Sequence, residues 1–110
     1  MTKKTLNIPK HFELLGSTIS VEFDPKLIHK HDAKGRASFR ENKIYIMPDT
    51  PDYPMAQDKI GDAFCHEVIH FIDTKVGDIL TEEQVEMFGA ALHQVLVTSE
   101  GNLVYQPDTK

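Results

Sequence analysis

Between Ile60 and Ile72 the chain reads Ile-Gly-Asp-Ala-Phe-Cys-His-Glu-Val-Ile-His-Phe-Ile. Phe64, Val68 and Phe71 recur at three-to-four spacing, and Ile60, Ala63, Ile69 and Ile72 follow a second stripe beside them. The spacing predicts a helix that is apolar nearly all round, and such a helix has to be buried. Within it stand His66, Glu67 and His70, polar groups that are costly to bury unless something satisfies them. One helical turn separates the two histidines, so their imidazoles share a face and can converge on one divalent cation. Glu67, beside the first histidine, is placed to face a water held by that metal and to take its proton. The pattern H-E-x-x-H is the signature of such a zinc site. Two histidines falling by chance on a structural helix is the competing reading, and the apolar setting argues against it.

One domain, spanning 1–110, is expected at this length, with residues 1–5 and 106–110 flexible. A hydrophobic fraction of 40% and a charged fraction of 26% are those of an ordinary globule. The net charge of −5 argues against a nucleic-acid surface. No apolar run approaches the length of a membrane span, and the N-terminus lacks a hydrophobic signal core, so no membrane partner is expected. The single cysteine, Cys65, cannot form an internal disulfide, which fits a cytoplasmic location. On a helix its side chain points about 100° away from that of His66, so it is read as a packing residue rather than a ligand.

Upstream of the motif the pattern is that of strands. Pro9 argues against a helix through residues 6–15, and Gly16 punctuates the segment. Ile19, Val21 and Phe23 alternate with polar residues, as in a half-buried strand. Residues 26–36 read as a polar loop with a helical turn. Residues 37–40 and 43–47 read as a hairpin separated by Glu41-Asn42, with Ile44 and Ile46 on one face and Tyr45 and Met47 on the other. The first long helix is expected over 55–75, stopped by Gly77. A second begins after Thr81, where Thr81-Glu82-Glu83-Gln84 makes a capping box. Its apolar stripe is expected to be Val85, Phe88, Leu92, Val95 and Leu96. Leu103, Val104 and Tyr105 are expected to pack back on the body. The fold class is therefore α+β: a small N-terminal sheet containing antiparallel pairs, packed on the motif helix and a second, C-terminal helix.

A catalytic zinc takes three protein donors and leaves one position open. The third has to come from the start of the second helix, where Glu82, Glu83 and Glu86 lie. Glu82 shares a side with Val85 and Leu92, which should face the first helix. Glu82 is accordingly the expected ligand, with Glu86 and Glu83 as the alternatives. Glu86, one turn on, is expected to accept a hydrogen bond from a ligand histidine, and Glu83 to face solvent. Asp73, three residues after His70, is expected to be exposed, with contact to that ring as the alternative; His93 is expected to be structural, with steadying of an oxyanion as the alternative. His11, His29 and His31 are expected on the surface. Tyr45, Tyr53 and Tyr105 are candidates to steady an oxyanion, and nothing selects among them.

With His66-Glu67-Val68-Ile69-His70 followed by Glu82-Glu83-Gln84-Val85-Glu86, the chain resembles the minimal gluzincin-type metallopeptidases. It is similar in particular to small phage-encoded and ImmA/IrrE-like zinc proteins. The resemblance extends to Ile8-Pro9-Lys10, Leu14-Leu15-Gly16 and Asn42-Lys43-Ile44-Tyr45-Ile46, although only the two helical motifs are specific. It implies a minimal zincin-like domain, Zn²⁺ held by His66, His70 and Glu82, and Glu86 supporting a histidine. It implies peptide-bond hydrolysis by a zinc-bound water with Glu67 as general base, on a protein or peptide substrate such as a regulatory protein of a phage or mobile element. The chain departs from larger gluzincins in its short connection between the motifs and in having no C-terminal substrate-binding subdomain. A non-catalytic, zinc-stabilised protein-binding module of phage origin is the alternative.

Overall fold

The computed structural model describes residues 7–99. Strands β1 (His11–Leu14) and β2 (Ser17–Phe23) form an antiparallel hairpin. Leu15 (φ 47°) and Gly16 (φ 87°) join them, and two successive left-handed residues are what a tight two-residue hairpin requires. The alternation expected of β2 is present, with Ile19 fully buried. β1 was not anticipated as a strand, although His-Phe-Glu-Leu does alternate. It turns Phe12 inward, where its ring meets Phe64 edge-on.

A five-residue helix, α1 (Leu27–His31), occupies the expected polar loop and is anchored by the buried Leu27. Strands β3 (Gly35–Ser38) and β4 (Lys43–Ile46) then form the predicted antiparallel hairpin, its first strand beginning two residues early. Ile44 and Ile46 are fully buried on one face. Met47, expected beside Tyr45, is buried instead, because it lies past the strand end where the alternation no longer binds it. β4 also pairs with β2, in parallel, so the sheet order is β1-β2-β4-β3 and β4 is interior. That parallel pairing needs the crossover through α1, which no local pattern announces.

The motif lies on α2 (Gln57–Val76), closed by Gly77 at φ 106°. Ile60, Phe64, Val68 and Phe71 join Ile19, Ile44 and Ile46 in the core beneath the sheet. Thr81 caps α3 (Glu82–Thr98) with the predicted capping box. The stripe on α3 needs correction. Val85, Gly89, Leu92 and Leu96 are turned inward, whereas Phe88 and Val95 are exposed at 44% and 56%. Periodicity could not separate these sets, because Phe88 and Val95 lie within a turn of positions that do face inward.

The helix is rotated so that a glycine meets α2. A Cβ added at Gly89 would stand 2.9 Å from the Cα of His66 and 3.1 Å from its backbone nitrogen. Backbone cannot yield, so Gly89→Ala should push α3 off α2. Overpacking at ~1–3 kcal/mol outweighs the ~1 kcal/mol an alanine gains over glycine in a helix. A net loss of stability in urea melts is the expected result.

The predicted packing of Leu103, Val104 and Tyr105 falls outside the described residues. Among the described residues no helix is long and apolar enough to cross a membrane.

Candidate metal centre

His66 and His70 project from the middle of α2 towards the first turn of α3, half-buried, with ring centroids 4.9 Å apart. Glu82 meets them there. Its Oε2 lies 3.1 Å from His66 Nε2 and its Oε1 lies 3.6 Å from His70 Nε2. The donor atoms of all three residues fall within 4.8 Å of one another. Four-coordinate zinc at bond lengths of about 2.0–2.2 Å holds its ligand atoms roughly 3.3–3.5 Å apart, so the two histidine–glutamate separations suit that ion. The carboxylate side of the group is open, with 71% of the Glu82 side chain exposed.

The turn between the helices sets this meeting. Asp73 is buried, not exposed as expected, and its Oδ1 accepts from the backbone N–H groups of Ile79 (2.9 Å) and Leu80 (3.0 Å). It thereby fixes the chain reversal that delivers Thr81 and Glu82. A carboxylate read as solvated is instead satisfying main-chain donors, which only the fold reveals.

Glu67 and His66 line one cleft of about 460 Å³, between α2, α3 and the start of β3. Glu67 is 7% exposed. A Cβ on Gly35 would lie 3.0 Å from Glu67 Oε2 and 3.1 Å from its Cγ, so β3 passes tightly against this side chain. Burial, with the Glu82 charge adding to it, pushes the Glu67 carboxyl from 4.5 up to about 7. In metal-free protein the folded state then holds this proton more tightly than the unfolded state. Stability falls as pH rises from about 4.5 to about 7 and levels off above. At ~1.4 kcal/mol per pH unit the cost reaches the order of 3 kcal/mol. Metal-free Glu67→Gln, melted in chelator, should therefore be the more stable protein at pH 8 and equal to the wild type near pH 4.

Other expected positions are distributed more widely. Glu86 lines the cleft beside His66 but makes no hydrogen bond to His66 or His70 among the described residues, and Glu83 is exposed. Tyr53 lines the cleft. Tyr45 lies on the opposite face of the sheet, donating to Glu41 at 2.8 Å, and Tyr105 is outside the described residues. His11, His29 and His31 are exposed. His93 packs against Gly61 with its Nδ1 3.9 Å from Asp62, and its Nε2 is buried without a hydrogen-bond partner among the described residues. Cys65 is fully buried, and burial, reinforced by Asp62, pushes its thiol up to about 12, which suits packing and not ligation. Asp32, Lys34, Lys59 and Asp62, which carry no sequence signal of their own, complete the charged walls of the cleft.

No family model, curated protein or solved structure matches the chain.

Proposed function

We propose that the protein is a zinc-dependent peptide-bond hydrolase of the minimal gluzincin, zincin-like type, with His66, His70 and Glu82 holding the metal and Glu67 serving as general base. One observation carries this reading: two imidazole nitrogens and a carboxylate converge from separate helices while a second acidic group, Glu67, stands buried alongside, outside the donor set. Zinc held by these three residues would supply Lewis-acid chemistry, activating water near neutral pH and polarising a carbonyl oxygen. Glu67 takes a proton from the attacking water and returns it to the leaving amine. Walled in by Gly35 and α2, its carboxyl has little freedom to turn away.

The substrate, a peptide or an extended protein segment, is positioned along a sheet edge. β4 is interior and cannot serve. β3 is the edge beside Glu67. Met47 N–H donates to Lys34 O at 2.8 Å, and antiparallel alternation then leaves the main-chain groups of Gly35 and Ala37 facing outward, free to pair with a bound chain.

A zinc-stabilised binding module without activity is the rival. Structural zinc is enclosed by four protein donors, whereas three converge here among the described residues and one side is open, which favours catalysis. A cytoplasmic setting, supported by the free buried Cys65, and a regulatory protein of a phage or mobile element as substrate belong to the same proposal. The test is zinc content of untagged protein, followed by mass-spectrometric detection of cleavage in a peptide mixture by the zinc-loaded form. Bound zinc with no cleavage of any peptide would favour the rival.

A further inference from the structure

The open edge strand ends on an aromatic pair. Phe39 follows β3 directly, and its ring meets that of Phe71 edge-on, centroids 4.9 Å apart and planes at 71°. Phe71 is buried in the core and follows His70 in α2. Phe39 is pinned against it yet remains 44% exposed. A single exposed apolar residue is ordinary and carries no message by itself. Phe39 differs in that its ring is held by a core residue and stands at the end of the edge that passes Glu67.

Gly35, at the other end of β3, stands against Glu67. At about 3.3 Å per residue, Phe39 lies roughly 13 Å along the strand from Gly35. Its ring reaches back onto Phe71, one helical turn beyond Glu67. The two ends of the track differ in chemistry. Near Lys34 the cleft carries Asp32, Lys34, Lys59, Asp62 and Glu86, charges of both signs that select no single class of side chain. The Phe39 end offers an aromatic face. Antiparallel pairing is slightly the more stable per residue, and it directs the N-terminal side of a bound peptide towards Phe39.

We infer that Phe39 is a specificity-determining residue. Its exposed ring, stacked on Phe71, receives an apolar and preferably aromatic side chain of a peptide lying along β3, about two residues N-terminal to the metal centre. This rests on the metal-centre reading above, and its test separates the two.

Acetyl-Phe-Gly-hydroxamate and acetyl-Ser-Gly-hydroxamate carry the same metal-binding group and differ only at the position in question. Titrated calorimetrically into zinc-loaded protein, the Phe compound should bind about fivefold more tightly, as expected for one aromatic contact. Phe39→Ser should bring the ratio close to one while leaving the Ser compound's Kd unchanged, and Phe39→Leu should retain most of the preference. A ratio near one in the wild type, or an undiminished ratio in Phe39→Ser, would overturn the inference. So would equal weakening of both compounds, the mark of a purely structural role. Binding of neither compound would sink the metal centre and the subsite together, a result distinct from binding of both alike.

Discussion

Glu67→Gln should leave zinc uptake intact and lower peptide hydrolysis by about 10²–10⁴-fold, the usual contribution of a positioned general base. The substitution is nearly isosteric, and the amide fills the same space against Gly35, so neither the helix nor the cleft has reason to move. Glu67 is not among the three converging donors, which is why metal content should be unaffected. What is lost is the ability to accept a proton at one buried position. The measurement pairs elemental analysis with initial rates on whichever peptide the wild-type protein cleaves. Zinc retained with undiminished cleavage would remove Glu67 from the chemistry. Zinc lost along with cleavage would instead make it a ligand, contrary to the geometry. In the rival, non-catalytic reading the same variant should bind its protein partner as the wild type does, because Glu67 lies inside the cleft rather than on the outer surface.

Much of this site was legible because helices carry their information locally. The i, i+4 relation of His66 and His70, the capping box at Thr81 and the stop at Gly77 each depend on a few neighbouring residues, and each stands where the pattern put it. The face argument that selected Glu82 over Glu83 relied on Val85, which is indeed buried against α2. The same argument failed further along α3. Phe88 looked like a core residue by spacing, yet Gly89 sits at the helix crossing because the backbones approach too closely there for any side chain. Hydrophobic periodicity rewards large residues and is blind to a contact that depends on having none.

The sheet shows the other limit. Individual strands could be read from alternation, but β4 lies between β2 and β3 through a parallel pairing of segments distant in sequence. No local signal distinguishes that from an edge position. Asp73 was misjudged for a related reason. The backbone donors it satisfies, on Ile79 and Leu80, become its neighbours only after the chain reverses. Local rules thus recovered the grouping of His66, His70 and Glu82, while the surroundings of that group required the tertiary fold.

Removing zinc should produce the second large effect, a fall in melting temperature of upwards of about 15 °C. Metal held at about a thousand times its dissociation constant adds roughly 4 kcal/mol to folding. In a domain of this size each kcal/mol moves the midpoint by about 4–8 °C. The metal would tie the middle of α2 to the first turn of α3, across the helix pair that closes one side of the molecule. Without it, Glu82 is largely solvent-exposed and contributes little. Metal-free Glu82→Ala should therefore melt close to metal-free wild type, yet gain far less on adding zinc. His66→Ala and His70→Ala should likewise lose most of the gain, and Glu67→Gln should keep it. The Glu82 comparison also tests the alternatives to it directly. If Glu82→Ala kept the full zinc-induced rise and Glu86→Ala lost it, the third donor would be Glu86. That outcome would require α3 to rotate on binding metal, since Glu86 now lines the cleft outside the donor group.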